Sequence, residues 1–322
     1  MQILSPKQLA EKTKGLSWVF PYNELIACYD PKYDVVELIE DYAPANGLFG
    51  EAWRALHFPK TSSLVVGARR EGTKTIFRLK QGKTKLSLKP SFAPIGIEEV
   101  KVKGNEISVT YAGFAGGGVS ACYCRGLAKG VKRIEIIQEG GGGNKFGKAT
   151  IVLPRLERQI VSVDDTDNEE EGATYALVHN IASKIHSDDT RYFTHVNSQL
   201  FPENPFKTKN CMSTAVSFVS KPGNAEKIEK FFEKELKEKT LSENTGMISF
   251  QGVIMPEEVK NYALQAKKCF LTSVKEVYEI CARNNIKAIV ITGEKGLIGA
   301  LAGLGMHDNP EFAASLPNIY EF

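Results

Sequence analysis

Three aspartates within four residues, Asp164, Asp165 and Asp167, constrain this chain more than any other feature. They follow the apolar run Ile160–Val163 and precede Gly172 and a helix-like stretch, so they fall where a strand ends and a helix begins. Like charges at this spacing raise the cost of ionising one another. A fold tolerates them most readily with a cation among them. Clustered carboxylate oxygens are what a hard divalent ion such as magnesium requires, with phosphate oxygens completing its shell. The expectation is a magnesium–nucleotide site; a solvated acidic loop that caps a helix is the other reading of the same residues.

A length of 322 residues suits two domains better than one core. With 42% hydrophobic and 25% charged residues, the profile is that of a soluble globular protein. A net charge of +3 lacks the basic excess usual in a nucleic-acid binder. The cluster Lys80, Lys83, Lys85 and Lys89 reads as decoration of exposed strand faces rather than a phosphate track. No run of about 18 apolar residues suggests a membrane span, and the N-terminus shows no signal-peptide pattern. Dispersed cysteines at Cys28, Cys122, Cys124, Cys211, Cys269 and Cys281 read as reduced thiols, which places the expected location in the cytoplasm. If Val119–Lys129 is a helix, Cys122 and Cys124 lie on opposite sides of it and cannot share an ion.

The chain reads as two halves, a β-rich α+β domain over 1–155 and an α/β domain over 156–322. In the first, Ser5 caps a helix opened by Pro6. The runs Ser63–Ala68, Thr73–Leu79, Thr84–Leu88, Ile97–Val102 and Glu106–Tyr111 predict an antiparallel sheet. A strand, the glycine loop Gly113–Gly118, a helix and the strand Arg133–Gln138 then follow in the order of a βαβ unit. That loop is either a phosphate cradle or a tight packing turn. The run Gly140–Gly143 is either a hinge that closes over a ligand or a hairpin tip. In the second half, strands are predicted over Arg158–Val163, Thr214–Val219 and Ile286–Thr292. Helices are predicted over Thr174–Ile185, after Asn224, from Pro256, from the Ser273–Glu276 capping box and after Gly296.

The aspartates end the Arg158–Val163 strand, and in open α/β sheets ligands bind outside the carboxyl ends of strands. One or two of them would hold magnesium, and a third would orient a nucleophile or act as base. Thr174, just after Gly172, sits where a hydroxyl meets phosphate at the positive end of a helix, or merely caps it. Lys207, Thr208 and Asn210 lie on a loop suited to gripping phosphate oxygens, or are plain surface. Gly296, Gly299 and Gly303 bring a helix close to phosphate or to a strand. His179 and His186, seven apart on one helix, stand too far apart to share a metal, and with His195 they read as ordinary histidines.

Several segments resemble the archaeal tRNA agmatinylcytidine synthetase family. Val163-Asp164-Asp165-Thr166-Asp167 with Gly172-Ala173-Thr174-Tyr175 is similar to its aspartate motif. Asn204-Pro205-Phe206-Lys207-Thr208-Lys209-Asn210 resembles its N-P-x-x-P-x-K-T-R-G-N motif, and Gly296–Ala302 its G-L-I-G-A-L-A run. The whole chain, including Gly140–Gly143, looks more like the methanogenesis marker protein 11 family of archaea, whose function is unassigned. The synthetase resemblance implies a kinase-like domain that binds ATP and magnesium, accompanied by a ferredoxin-like domain. It implies metal binding by Asp164, Asp165 and Asp167, phosphate contacts from Lys207 and Asn210, and Thr174 as phosphoacceptor. Here a single threonine precedes Tyr175, the glycine before Asn210 is missing, and no counterpart of the synthetase's OB-fold or zinc ribbon follows.

The leading expectation is thus a magnesium- and ATP-dependent phosphoryl- or nucleotidyl-transferring enzyme, acting in methanogenesis on a small-molecule, protein or RNA acceptor. A non-catalytic assembly factor for a methanogenesis complex and a tRNA-modifying enzyme are the competing readings.

Overall fold

The structure, a computed structural model, describes residues 1–42, 49–208 and 210–316. Lys209, part of the lysine loop motif, lies outside the described residues. The chain divides into two compact units, Met1–Leu156 and Glu157–Phe322.

The first unit opens with β1 (Gln2–Leu4) and α1 (Pro6–Thr13). Ser5 accepts from the Gln8 amide and its own amide donates to the Gln8 side chain, closing a capping box ahead of Pro6. β2 (Glu24–Asp30), β3 (Val35–Asp41), α2 (Phe49–Thr61), β4 (Val65–Glu71) and β5 (Lys74–Lys80) follow. The four strands form an antiparallel sheet in the order β2-β3-β5-β4. Next come β6 (Gly82–Lys83), β7 (Ile95–Lys103), β8 (Glu106–Phe114), α3 (Ala115–Val119), β9 (Arg133–Gln138) and β10 (Phe146–Pro154). Together with β1 they make a second sheet, β1-β9-β10-β8-β7-β6.

Two expectations change here. Thr84–Leu88 is extended but, beyond Thr84, takes its hydrogen bonds from outside the sheet: the Ser87 amide donates to Thr61. The stretch after the glycine loop is not one helix but α3, a wide π turn over Ser120–Cys124 and a 3-10 turn over Arg125–Leu127. Strands β8 and β9 do run the same way, but β10 lies between them and pairs antiparallel with both, so the βαβ unit is split.

Glu40 and Arg125 tie the core of this unit together, both fully buried. Arg125 donates Nε and Nη2 to Glu40 at 2.7 and 2.9 Å, and the Tyr111 hydroxyl adds a third bond at 2.7 Å. The rings of Tyr22 and Tyr111 cover the guanidinium at 4.6 and 4.2 Å. Burial alone would raise the Glu40 carboxyl, but Arg125, with help from Arg54, holds it below its ordinary range.

The second unit runs β11 (Glu157–Asp164), α4 (Thr174–Ser183), β12 (His186–Ser187), β13 (Thr190–Gln199), β14 (Met212–Ser220), α5 (Ala225–Lys239) and β15 (Gly246–Gln251). It continues with α6 (Glu257–Lys268), α7 (Val274–Asn284), β16 (Lys287–Val290), α8 (Gly296–Met306) and α9 (Pro310–Ala314). The sheet order is β12-β13-β14-β11-β15-β16, antiparallel throughout. From β11 to β15 the main elements read β-α-β-β-α-β, and the strand order is that of a ferredoxin-like fold. Alternation along the strands gives two buried faces. Val161, Val163, Val216 and Phe218 pack with α4 and α5, while Ile160, Ala215 and Ile248 pack with α6, α7 and α8. The expected mixed fold is therefore present, with antiparallel sheets. An argument from parallel α/β sheets does not place a ligand here; local geometry must.

Candidate functional site

Asp164 ends β11, the strand paired on both sides by β14 and β15. Asp165 then takes a left-handed backbone (φ 61°), which turns the chain out of the sheet. That costly conformation is held by the loop before β15. Ser242 Oγ donates to Asp165 Oδ1 at 2.8 Å, Thr245 Oγ1 donates to the Asp165 carbonyl, and the Leu241 amide donates to the Thr166 carbonyl at 2.9 Å. Thr174, the first residue of α4, is buried against the same turn. Its oxygen accepts from the Thr166 amide at 3.2 Å, and its hydroxyl donates to Asp167 Oδ1 at 3.3 Å. Gly172 (φ 99°) sits so close to Asp167 that a Cβ would meet that side chain at 2.8 Å.

Helix α8 forms the opposing wall. A Cβ on Gly299 would overlap the carboxylate of Asp164, and one on Gly296 would strike the Asn244 carbonyl and the Gly246 amide. Gly303 stands against Ser213 and Ser162 in the same way. The small residues of α8 let its N-terminus approach the tip of β11, so the positive end of the helix dipole faces the aspartates.

These walls enclose a cavity of about 300 Å³, within the range of small-ligand sites. Asp164, Asp165, Asp167, Lys207, Thr208, Asn210, Gly296 and Gly299 all line it. Thr174 and Gly172 stand behind the lining, supporting the aspartate loop. Thr208 donates to Asp167 Oδ2 at 3.2 Å, while Lys207 donates to the Pro202 carbonyl. The sequence reading missed Lys295, whose ammonium lies 5.2 Å from the Phe206 ring centre and pulls the Asp165 carboxyl downward. Its only signal was its place directly before the glycine-rich helix start. Ser242 and Asn244, from an unpatterned loop, were missed as well, as was the apolar lobe formed by Phe206, Phe270, Leu271 and Ile298.

The electrostatics are those of a site short of positive charge. Burial first, then the charges of Asp165 and Asp167, pushes the Asp164 carboxyl well above its ordinary range; the Asp165 amide opposes the rise. Burial raises Asp165 too, with Ser242 and Lys295 working against Asp167. The three carboxylates do not converge on one point. They face Gly299, Ser242 and the Thr174–Thr208 pair respectively. Among the described residues no three His, Cys, Asp or Glu side chains stand close enough to share a metal. The donor set fits an ion that takes one or two carboxylates and fills its shell with phosphate and water.

The other sequence candidates fall elsewhere. His179 stacks on His195 with ring centres 5.7 Å apart, and His195 bonds Thr214 Oγ1 at 2.7 Å. His186 lies beyond the end of α4, on β12, so the two-turn spacing argued for it does not apply. In the first unit the glycine runs pack on each other. A Cβ on Gly140 or Gly147 would meet the Gly118 backbone, so the start of the tetraglycine run is a seam rather than a hinge. Gly116 and Gly117 contribute, with Gly141, Gly142, Trp18 and Trp53, to a second cavity of about 660 Å³ whose walls are mostly apolar. All six cysteines are free, and Cys211 and Cys269 line the aspartate cavity. No helix among the described residues is long and apolar enough to cross a membrane.

The chain is similar to several known proteins. The chain is 41% identical over 296 residues to the uncharacterized protein MJ0921 of Methanocaldococcus jannaschii, covering 92% of this chain and 97% of the relative. The TiaS TCKD domain family matches residues 160–231, which hold the aspartate loop and α4. Solved structures of TiaS are also similar. The complex with a tRNA and ATP is 23% identical with a TM-score of 0.40, covering 46% of this chain and 36% of that one. The apo enzyme, a tRNA agmatidine synthetase, is 21% identical with a TM-score of 0.38, over 46% and 35%. The chain thus spans little more than a third of those enzymes.

Proposed function

The chain belongs to the family of the Methanocaldococcus jannaschii protein MJ0921, and from that premise we propose that its second unit is an ATP-dependent phosphoryl- or nucleotidyl-transferring centre that modifies an RNA. One observation carries the reading. Half-buried carboxylates at the tip of β11 share a cavity with Lys207, Lys295 and the N-terminus of α8. Raised carboxyls ask for a cation, while the lysines and the helix end ask for an anion. Magnesium bound to a triphosphate answers both.

Asp164 and Asp165 would hold the ion, which would neutralise charge developing on the transferred phosphoryl group. Lys207 and Lys295 would neutralise the outer phosphate oxygens, with Thr208 and Asn210 donating hydrogen bonds. Phe206, Phe270 and Leu271 give the apolar surface that a base needs. Thr174 holds the aspartate loop in the conformation described; as phosphoacceptor it would have to leave its bonds to Thr166 and Asp167 first. The RNA acceptor is supported by the TiaS TCKD match across the aspartate loop. Nothing in the site calls for a methanogenesis-specific acceptor.

Calorimetric titration of ATP with magnesium into wild type and Asp165→Asn tests the reading. Magnesium-dependent binding by the wild type, weakened at least about tenfold in the variant, is expected, since tenfold is 1.4 kcal/mol, the scale of one charge-assisted contact. Negligible heat from both proteins ends it.

A further inference from the structure

Several lysines of the first unit find carboxylates, among them Lys101 with Glu99, Lys132 with Glu106 and Lys129 with Glu24. Three that find none lie in one extended segment. From Gly72 to Ile97 the sequence contains no acidic residue and six basic ones. Within it, Lys83, Lys85, Ser87 and Lys89 are exposed, while Thr84, Leu86 and Leu88 are half-buried. That alternation is the mark of an extended segment whose odd positions face solvent. The Thr84 amide donates to the Glu98 carbonyl and the Ser87 amide to the Thr61 carbonyl, which fixes the segment against β7 and the end of α2. The second bond holds Ser87, the one odd position without a charge, against the last turn of α2, which carries the exposed Lys60. Among the described residues no carboxylate pairs with Lys60, Lys83, Lys85 or Lys89. Glu99, across from Lys83 in the ladder, is taken by Lys101. At the far end, the tight turn from Lys89 to Ala93 presents Phe92, 59% exposed, with its carbonyl pinned by Trp53 Nε1 at 3.1 Å.

We propose that this stripe, Lys83, Lys85, Lys60 and Lys89 ending at Phe92, is a binding surface for a single-stranded RNA segment. Extended backbone spaces Lys83 and Lys85 about 6.6 Å apart, a step that follows consecutive phosphates along an extended strand. An exposed ring, on backbone held by Trp53 at the end of the lysine segment, supplies the stacking platform that a splayed base requires. Lysines on an edge strand also deter edge-to-edge pairing. The stripe, however, continues six residues past the two-residue β6 and recruits a lysine from another element. The RNA assignment rests on the function proposed above for the second unit; the surface itself does not.

Fluorescence anisotropy of the full chain with a labelled RNA oligonucleotide, across a salt series, tests it. The lysine variant replaces Lys60, Lys83, Lys85 and Lys89 with Gln; all four are exposed, and circular dichroism checks its fold. Losing four contacts to single-stranded phosphates is expected to flatten the slope of log K against log salt by about 3. Phe92→Ala is expected to weaken binding about tenfold with an unchanged slope. A DNA strand of the same sequence, bound as tightly and through the same residues, would keep the phosphate track but overturn the RNA assignment. An unchanged salt slope in the lysine variant, or Phe92→Ala binding like wild type, overturns the surface. ATP titration of the same proteins separates the two proposals. Retained ATP binding with lysine-independent RNA binding sinks only the surface, and lysine-dependent RNA binding without ATP binding sinks only the nucleotide site.

Discussion

Gly299 lies so close beneath Asp164 that a single added carbon would overlap the carboxylate oxygen. An alanine would gain about 1 kcal/mol of helix propensity over glycine inside α8. Overpacking a buried contact costs about 1–3 kcal/mol, so overlap wins. Gly299→Ala is expected to lower stability by about 1 kcal/mol and to weaken magnesium–ATP binding more than tenfold. Denaturant unfolding and calorimetry together check this; undiminished binding would show that Asp164 takes no part.

Thr174 braces the aspartate turn through Thr166 and Asp167. Replacing it by Val keeps the shape and leaves the Thr166 amide without its acceptor, a loss of about 1–3 kcal/mol. Thr174→Ser keeps the hydroxyl and is expected to stay within about 1 kcal/mol of wild type. Urea unfolding of both variants reads the difference.

The exposed Lys295 reaches towards both Asp165 and the Phe206 ring. Lys295→Met is expected to reduce ATP affinity about five- to tenfold, and to shrink its salt dependence, without lowering the melting temperature. A variant that binds ATP like wild type would place the phosphates elsewhere.

Glu40 sets an acid limit for the first unit. Its folded carboxyl titrates below its ordinary value of 4.5 because Arg125 and Arg54 outweigh burial. A lowered carboxyl contributes stability that is complete above the unfolded value and lost as pH falls through the folded one. Unfolding free energy is therefore expected to drop as pH falls below about 4.5. Glu40→Gln leaves Arg125 buried without a countercharge and should cost about 3–5 kcal/mol at neutral pH. Its remaining stability should fall less steeply in acid.

What could be read from the chain was local. The apolar run before Asp164, the Ser5 cap ahead of Pro6 and the helical stripe of Ile228, Phe231, Phe232 and Leu236 each carry their signal within a few residues, and each element is present, with Phe231 only partly buried. Strand β3 was passed over because Glu37 and Glu40 interrupt its apolar pattern; the residue that neutralises Glu40 lies 85 positions away. Polar β13 was missed for the same reason: its threonine, histidine and asparagine side chains are satisfied by β14 and by His307, just past α8. At the site, the aspartates announced themselves by crowding, and the loop that holds them did not. Ser242 reaches Asp165 across 77 residues, from a segment with no periodicity to betray it.

The placement of β11 between β14 and β15 has a consequence for how the molecule fails. Amide protons of Val161, Ser162 and Val163, hydrogen-bonded within the middle of the sheet, should exchange with solvent only when the whole unit opens. A centre mounted on such a strand does not fray ahead of its scaffold, so heating should abolish nucleotide binding and melt the second unit at one temperature.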